Sequence, residues 1–245
     1  MTDANPRVAR LRAKMAEEGF DAVVLTHPHD VRYATGYHSI LERWTQQEPF
    51  AGAIVFADEA KPAILVIPEA NLGIVAVLNR DTPACTFDEI RTFDMLNFCE
   101  VSRYVDPDRK GGQLAEDAMA LAGAIRGECQ SDIVAAIGAA LADHGMAGTH
   151  IGFDSHRISA GIAGKLPHEF ADCLDLMMRV RVVKTAQELE TYRKVGVMAD
   201  RVIAHAGSLL GPGVDWNDVQ AGICDFMVRG GVVPVDEGAM LFGGS

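Results

Sequence analysis

The sequence is short of positive charge. Its 22 Lys and Arg stand against 34 Asp and Glu, a formal net charge of −12 over 245 residues. A chain this acidic lacks the broad positive field that draws proteins to nucleic acid or anionic membranes, so neither is expected as a partner. Long hydrophobic runs are also missing. Nothing approaches the ~18 consecutive apolar residues of a membrane span, and the opening MTDANPRVARLRAKM has no apolar segment of the secretory-signal kind. Cysteine is sparse and unpatterned: Cys85, Cys99, Cys129, Cys173 and Cys224 are odd in number, widely spaced and form no C-x-x-C. That spacing excludes a zinc ribbon or a disulfide framework and fits reduced thiols. A cytoplasmic protein working on something small is the expectation. H-E-x-x-H, the Walker loop, G-x-G-x-x-G and G-x-S-x-G are all absent, which removes the commonest local signatures of zinc, phosphate, dinucleotide and serine-hydrolase sites.

What is present is an ordinary globular composition, 49% hydrophobic and 23% charged, enough core for one large domain or two modest ones. The first element reads as a helix: Asn5 caps it, Pro6 suits its first position, Val8, Leu11 and Met15 share one face, and Gly19 stops it. Asp21 to Leu25 is short and apolar, as a buried parallel strand is. Thr26-His-Pro-His-Asp30 breaks it, and Val31 to Thr35 forms a short helical turn ended by Gly36. Ala51 to Ala57 and Ala63 to Pro68 read as a hairpin-like pair around Asp58-Glu-Ala-Lys-Pro62. Glu69 to Leu78 is helical, and Thr82 to Phe93 contains a strand. Helices are expected over Leu114 to Ile125, Ser131 to His144 and Arg157 to Leu166, with a strand at His150 to Asp154. Strands alternating with helices predict an α/β domain, ending near residue 175.

The pattern then changes. Leu176 to Val183 reads as extended. Thr185 and Glu188 form the S/T-x-x-E capping box, in which each side chain satisfies a free backbone donor of the other residue. Leu189, Tyr192, Val195, Ala199, Val202 and Ile203 recur at helical spacing toward Leu210, and Gly211-Pro-Gly213 ends the helix. Asp215 caps a further helix over Trp216 to Arg229. The apolar stripe of the Thr185 helix belongs in a core; left uncovered, it predicts association or instability.

Two blocks of this sequence resemble stretches of a known family. Arg10-Leu11, Met15, Gly19-Phe20-Asp21-Ala22 and Tyr33-Ala-Thr-Gly36-Tyr37 resemble the N-terminal domain of creatinase and Xaa-Pro dipeptidases. Arg181-Val-Val-Lys184-Thr185, Glu188-Leu189, Arg193 and Ala199-Asp200 resemble the entry to the catalytic domain of the same pita-bread metallohydrolases. The resemblance implies a creatinase-type N-terminal α/β domain over residues 1–175, followed by the beginning of a pita-bread α+β domain over 176–245. It also implies a dinuclear site of two Asp, one His and two Glu, located beyond the stretch that resembles Gly230-Gly-Val-Val-Pro234. No catalytic residue and no metal ligand is therefore assigned in this chain, Asp236 and Glu237 included. A divalent metal (manganese, cobalt or zinc) is expected only for a complete peptidase-type homologue, whose ions activate a water for attack on the amide.

The implied function is the N-terminal portion of a hydrolase acting on C–N bonds of small peptides or amidine-like compounds. This portion positions the substrate and builds a homodimer. Two other readings are a non-catalytic dimerisation or ligand-binding module from a truncated homologue, and a lyase or hydrolase acting on an osmolyte. The candidate substrate contacts are Tyr37, His38, Arg43 and Trp44, which follow Gly36 in a loop the family brings to the active site, often the partner subunit's. Arg43 suits a carboxylate held bidentately, and Trp44 or Tyr37 suits the apolar part of a substrate. His27 and His29, around Pro28, carry donors that suit zinc or iron, but a strand-to-helix connection capped by His29 or Asp30 explains them better. Asp154-Ser155-His156 has the residue types of a hydrolytic triad in the wrong arrangement, since triad members meet in space rather than along the chain.

Overall fold

A computed structural model describes residues 5–38, 49–78, 85–94, 121–163 and 169–232. The chain divides into two compact units, Met1–Val183 and Lys184–Ser245.

The first unit is a six-stranded mixed sheet between two layers of helices. Its elements are α1 (Pro6–Glu18), β1 (Ala22–Leu25), α2 (Pro28–Thr35), β2 (Gly52–Phe56), β3 (Ile64–Pro68), α3 (Leu72–Leu78), β4 (Glu89–Phe93), α4 (Ile133–Asp143), β5 (His150–Phe153), α5 (His156–Ile162), β6 (Glu169–Asp172) and α6 (Leu174–Val182). The strand order is β4-β3-β2-β1-β5-β6. The central meander β1-β2-β3 is antiparallel, while β4, β5 and β6 each join parallel to their neighbours. Side chains alternate between faces with the period of two that a strand imposes. In β1, Val23 and Leu25 join the α1, α2, α3 and α6 layer, whereas Ala22 and Val24 join α4 and α5. Since both faces are covered, β1, β2 and β3 are buried throughout and read as continuous apolar runs.

The helix starts follow the side chains available for their free N–H groups. Asn5 accepts from the Arg7 N–H, and Pro6 occupies a position that needs no donor. Asp132 caps α4 by accepting from the Ala135 N–H. Gly152 in β5 is fixed by close approach: a Cβ there would sit 2.8 Å from the Cys173 Cβ.

Three sequence expectations change. Residues Leu176 to Val183 are not extended, because Leu174–Val182 is helix α6. The run Arg-Val-Arg-Val-Val has β-branched character, but Leu176, Met177 and Val180 bury on the sheet, and tertiary packing overrides propensity. Strand β6 was not expected at all; it is short and carries Phe170, which meets Phe153 edge-on at 5.8 Å. Toward the end of the helix expected over Leu114 to Ile125, a short 3-10 turn covers Leu121–Gly123 and Ile125 bridges to Ile90, while the stretch before Leu121 lies outside the described residues.

The second unit contains α7 (Ala186–Leu209) and α8 (Trp216–Arg229). The capping box is present as written in the sequence: Thr185 accepts from the Glu188 N–H and Glu188 accepts from the Thr185 N–H. The two helices meet through His205 stacked on Phe226 at 4.4 Å and Arg201 over the same ring at 5.6 Å. Within this pair Val219 and Ile223 are buried, whereas α7 buries none of its residues. Ile203 and Tyr192 on α7 are 70% and 60% exposed, which matches the uncovered stripe the sequence warned of.

Candidate functional site

The topology singles out one end of the sheet. After β1 the chain turns into α2 on one face, and after the adjacent parallel β5 it turns into α5 on the other. At such a reversal the carboxyl ends of the strands leave a crevice, the usual ligand position in open α/β sheets. Here the chain fills that position itself. Asp154, the residue after β5, accepts from the Thr26 N–H at 2.6 Å, the Thr26 hydroxyl at 2.7 Å and the His27 N–H at 2.7 Å. Its carboxylate thereby fixes the turn from β1 into α2, while the N-cap residue His27 makes no side-chain cap bond. Burial pushes the Asp154 carboxyl above its ordinary range, against the three donors that pull it down. The expected cap by His29 or Asp30 is not formed; a carboxylate that follows a distant strand holds the turn before the helix instead. Asp154 was noticed in the sequence only beside Ser155 and His156; its partners lie across a strand pairing that local spacing does not reveal.

Around this bolt the other ionisable groups are structural. Asp30 is fully buried and takes the Arg181 guanidinium at 2.9 Å, tying α6 to α2. His27 and His29 lie 5.3 Å apart by ring centroid, and burial, then the charges of Arg181 and His27, hold His29 below the ordinary imidazole value. Among the described residues no group of three or more His, Cys, Asp or Glu is placed to hold a metal ion. Cys173 is buried, and desolvation raises its thiol far from reactivity; Cys85 is likewise pushed up to about 11. Neither behaves as a nucleophile.

The opposite end of α2 carries the residues expected to contact substrate. A helix end leaves carbonyls without intrahelical partners, and here several are met by groups from outside the helix or from its last turn. The Thr35 hydroxyl donates to the Val31 carbonyl at 2.8 Å, and the Gly36 N–H donates to the Arg32 carbonyl at 2.8 Å. The Asn5 side chain donates to the Ala34 carbonyl at 3.3 Å, and the Thr86 N–H donates to the Thr35 carbonyl at 2.7 Å. Gly36 sits at φ 73°, the left-handed conformation that lets the chain leave a helix and that glycine adopts without strain. Tyr37 is fully buried, with its hydroxyl accepting from the Asn71 side chain at 2.9 Å. Its ring belongs to the core of the first layer. His38 emerges at the surface; partial desolvation and then the Arg32 charge hold its imidazole below the ordinary value, against a hydrogen bond with the Gly36 backbone. Arg43 and Trp44 lie outside the described residues. Of the four candidates, the structure places two, one as anchor and one as exposed ring. Asn71, the buried partner, gave no signal in the sequence, because it falls inside the stretch Glu69 to Leu78 that reads as helix.

This arrangement can be set beside known proteins. The sequence profile of the Creatinase/Prolidase N-terminal domain family matches residues 7–195. The chain belongs to this family. Solved structures share its fold: an Xaa-Pro dipeptidase from Bacillus anthracis (16% identity, TM-score 0.59, covering 93% of this chain and 50% of that one). A prolidase from Pyrococcus horikoshii OT3 is similar at 13% identity and TM-score 0.55, over 92% of this chain and 49% of that one. A dipeptidase from Mycobacterium ulcerans is similar at 19% identity and TM-score 0.53, over 91% and 48%. No curated protein sequence matches the chain. The chain spans about half the length of these structures, and at such identities they establish the fold and not the reaction. The creatinase/prolidase N-terminal domain accounts for the mixed α/β sheet and for the family model's reach into α7. No described helix is long and apolar enough to cross a membrane.

Proposed function

We propose that this chain is the substrate-positioning portion of a cytoplasmic metal-dependent hydrolase that cleaves C–N bonds in small peptides of the Xaa-Pro type or in amidine-like compounds. The observation that carries the reading is the exit of α2. In a chain of the creatinase/prolidase N-terminal family, that exit is held by hydrogen bonds to the Val31, Arg32, Ala34 and Thr35 carbonyls, and His38 then lies at the surface. A scaffold that rigid beneath a segment rich in cationic and aromatic side chains suits the holding of a substrate rather than the filling of a core.

In this reading His38, Arg43 and Trp44 meet the substrate, and Tyr37 holds the base of the segment. Arg43 pairs with a carboxylate through two parallel N–H bonds, and Trp44 covers an apolar ring. The segment serves the site of a second copy in a homodimer. The division of labour follows the expected domain boundary, with residues 1–175 positioning substrate and 176–245 beginning the catalytic domain. The divalent ions of such a hydrolase supply an activated water, but the described residues offer no group of three donors for them, and no step is assigned to metal held by this chain.

The test is the Michaelis constant of the complete protein for an Xaa-Pro dipeptide. Arg43→Ala is expected to raise it at least ~10-fold, the loss of one charge-assisted pair of about 1.5–3 kcal/mol, with kcat changed little. An unchanged Michaelis constant removes Arg43 from the substrate site.

A further inference from the structure

We infer that Asn71 is a positioning residue for the candidate site: its hydrogen bond to the Tyr37 hydroxyl latches the exit of α2 and fixes where His38 leaves the protein. The inference rests on the proposed role of the His38 segment for its purpose, but not for its test.

The bonds to the Val31, Arg32, Ala34 and Thr35 carbonyls either stay within α2 or grip residues up to Thr35. Beyond Gly36, whose left-handed turn could lead the chain in several directions, Tyr37 bonds both to its own helix and to a distant connection. Its N–H donates to the Thr35 hydroxyl at 3.2 Å, a bond that turns the chain back on its own helix. Its hydroxyl accepts from Asn71 Nδ2 at 2.9 Å, and this bond reaches 34 residues along the chain to the connection between β3 and α3. Both partners are deeply buried, Tyr37 at 0% and Asn71 at 3% exposure.

Burial is what gives the bond its directing power. An apolar core accepts a tyrosine ring in many orientations, and contact alone does not choose among them. A buried hydroxyl and a buried amide do choose, since an orientation that separates them breaks a hydrogen bond inside the core. The Asn71 end is immobile, because Leu72 and Val75, which follow it in α3, pack in the same core. One residue after Tyr37, His38 inherits that fixed position. The shape of the surface there is therefore set from beneath, by a side chain that touches no substrate.

The test is an NMR titration of the His38 ring in the 245-residue chain, in the unaltered protein, in Tyr37→Phe, in Asn71→Leu and in the double variant. Partial desolvation and the Arg32 guanidinium hold the His38 imidazole down, and the Gly36 backbone opposes them. Each of these depends on where the ring sits. With the latch opened, the His38 midpoint is expected to rise toward the ordinary imidazole value in both single variants. It should rise no further in the double variant. Tyr37→Phe removes one oxygen and keeps the ring, so it decides the matter if Asn71→Leu fails to fold. An unchanged His38 midpoint in Tyr37→Phe, or shifts that add in the double variant, overturns the inference. The outcome is separable from that of Arg43→Ala: a moved His38 with an unchanged Michaelis constant keeps the latch and removes Arg43 from the substrate site, and the reverse result does the opposite.

Discussion

The two units of this protein are built from the same kinds of helix and held by different means. In the first, α1 buries Val8, Leu11 and Met15, and α4 buries Ile133, Ala136, Ile137, Ala140 and Leu141 against a sheet covered on both faces. In the second, α7 is the longest helix described, is capped on both its backbone and side-chain sides, and buries nothing. Local signals suffice to start and stop a helix, but most helical stability in proteins comes from packing an apolar face. A clean sequence signature for α7 is therefore evidence of where a helix lies and not of what stabilises it. The unit with the finished core is also the unit that holds the exit of α2 in place.

The comparison can be broken most forcefully by truncating one apolar side chain in each unit. Leu11→Ala, at a fully buried position, is expected to cost about 3 kcal/mol in urea unfolding of the 245-residue chain. Ile203→Ala on α7 is expected to stay within about 0.5 kcal/mol. An Ile203 loss equal to that of Leu11 would show the α7 face to be covered. Next in size is Asp154→Ala, which abandons three donors at the start of α2 and should cost about 2 kcal/mol by the same measurement. A neutral result would mean that water replaces the carboxylate without loss. Thr185→Ala removes half of the capping box and should lower the stability of α7 by about 1 kcal/mol, read as faster exchange of its first-turn amides. In the first unit those of α4 should not change.

The smallest effect is a pH dependence. His29 is held below the ordinary imidazole value in the folded protein, so folding favours its neutral form. Its contribution is complete above the unfolded value of 6.5 and declines as pH falls through the lower folded value. His29→Gln should flatten the acid side of the stability profile of the first unit by a fraction of a kcal/mol. A slope that persists unchanged assigns it to other groups.

What could be read in advance divides along the same line. Up to β5 most strands and helices of the first unit follow from punctuation and period, as at Asn5 and Pro6, the apolar run at Ala22–Leu25, Gly36, and the capped start at Asp132, whereas β6 and α6 did not. The family blocks were equally visible, because they are local strings of residues. Strand order was not legible, and with it went everything that depends on strands far apart in sequence meeting side by side. Asp154 reaches Thr26 across 128 positions, and Arg181 reaches Asp30 across 151. The α6 helix was misread because its β-branched residues follow the propensity of strands while its contacts are those of a helix on a sheet. At the candidate site, Tyr37 and His38 were singled out together for their chemistry. Only the fold separates them, one fully buried against Asn71 and the other exposed.

The claim that the first unit stands on its own core while α7 does not is tested most directly by native-state hydrogen exchange on the 245-residue chain. The amides of Val23, Val24 and Ile54, in strands paired on both sides, are predicted to open only with global unfolding of the first unit. Those of α7 around Val197 and Ile203 are predicted to exchange at least ~100-fold faster, from local opening of a helix with no buried face. Equal protection in the two regions would contradict the account.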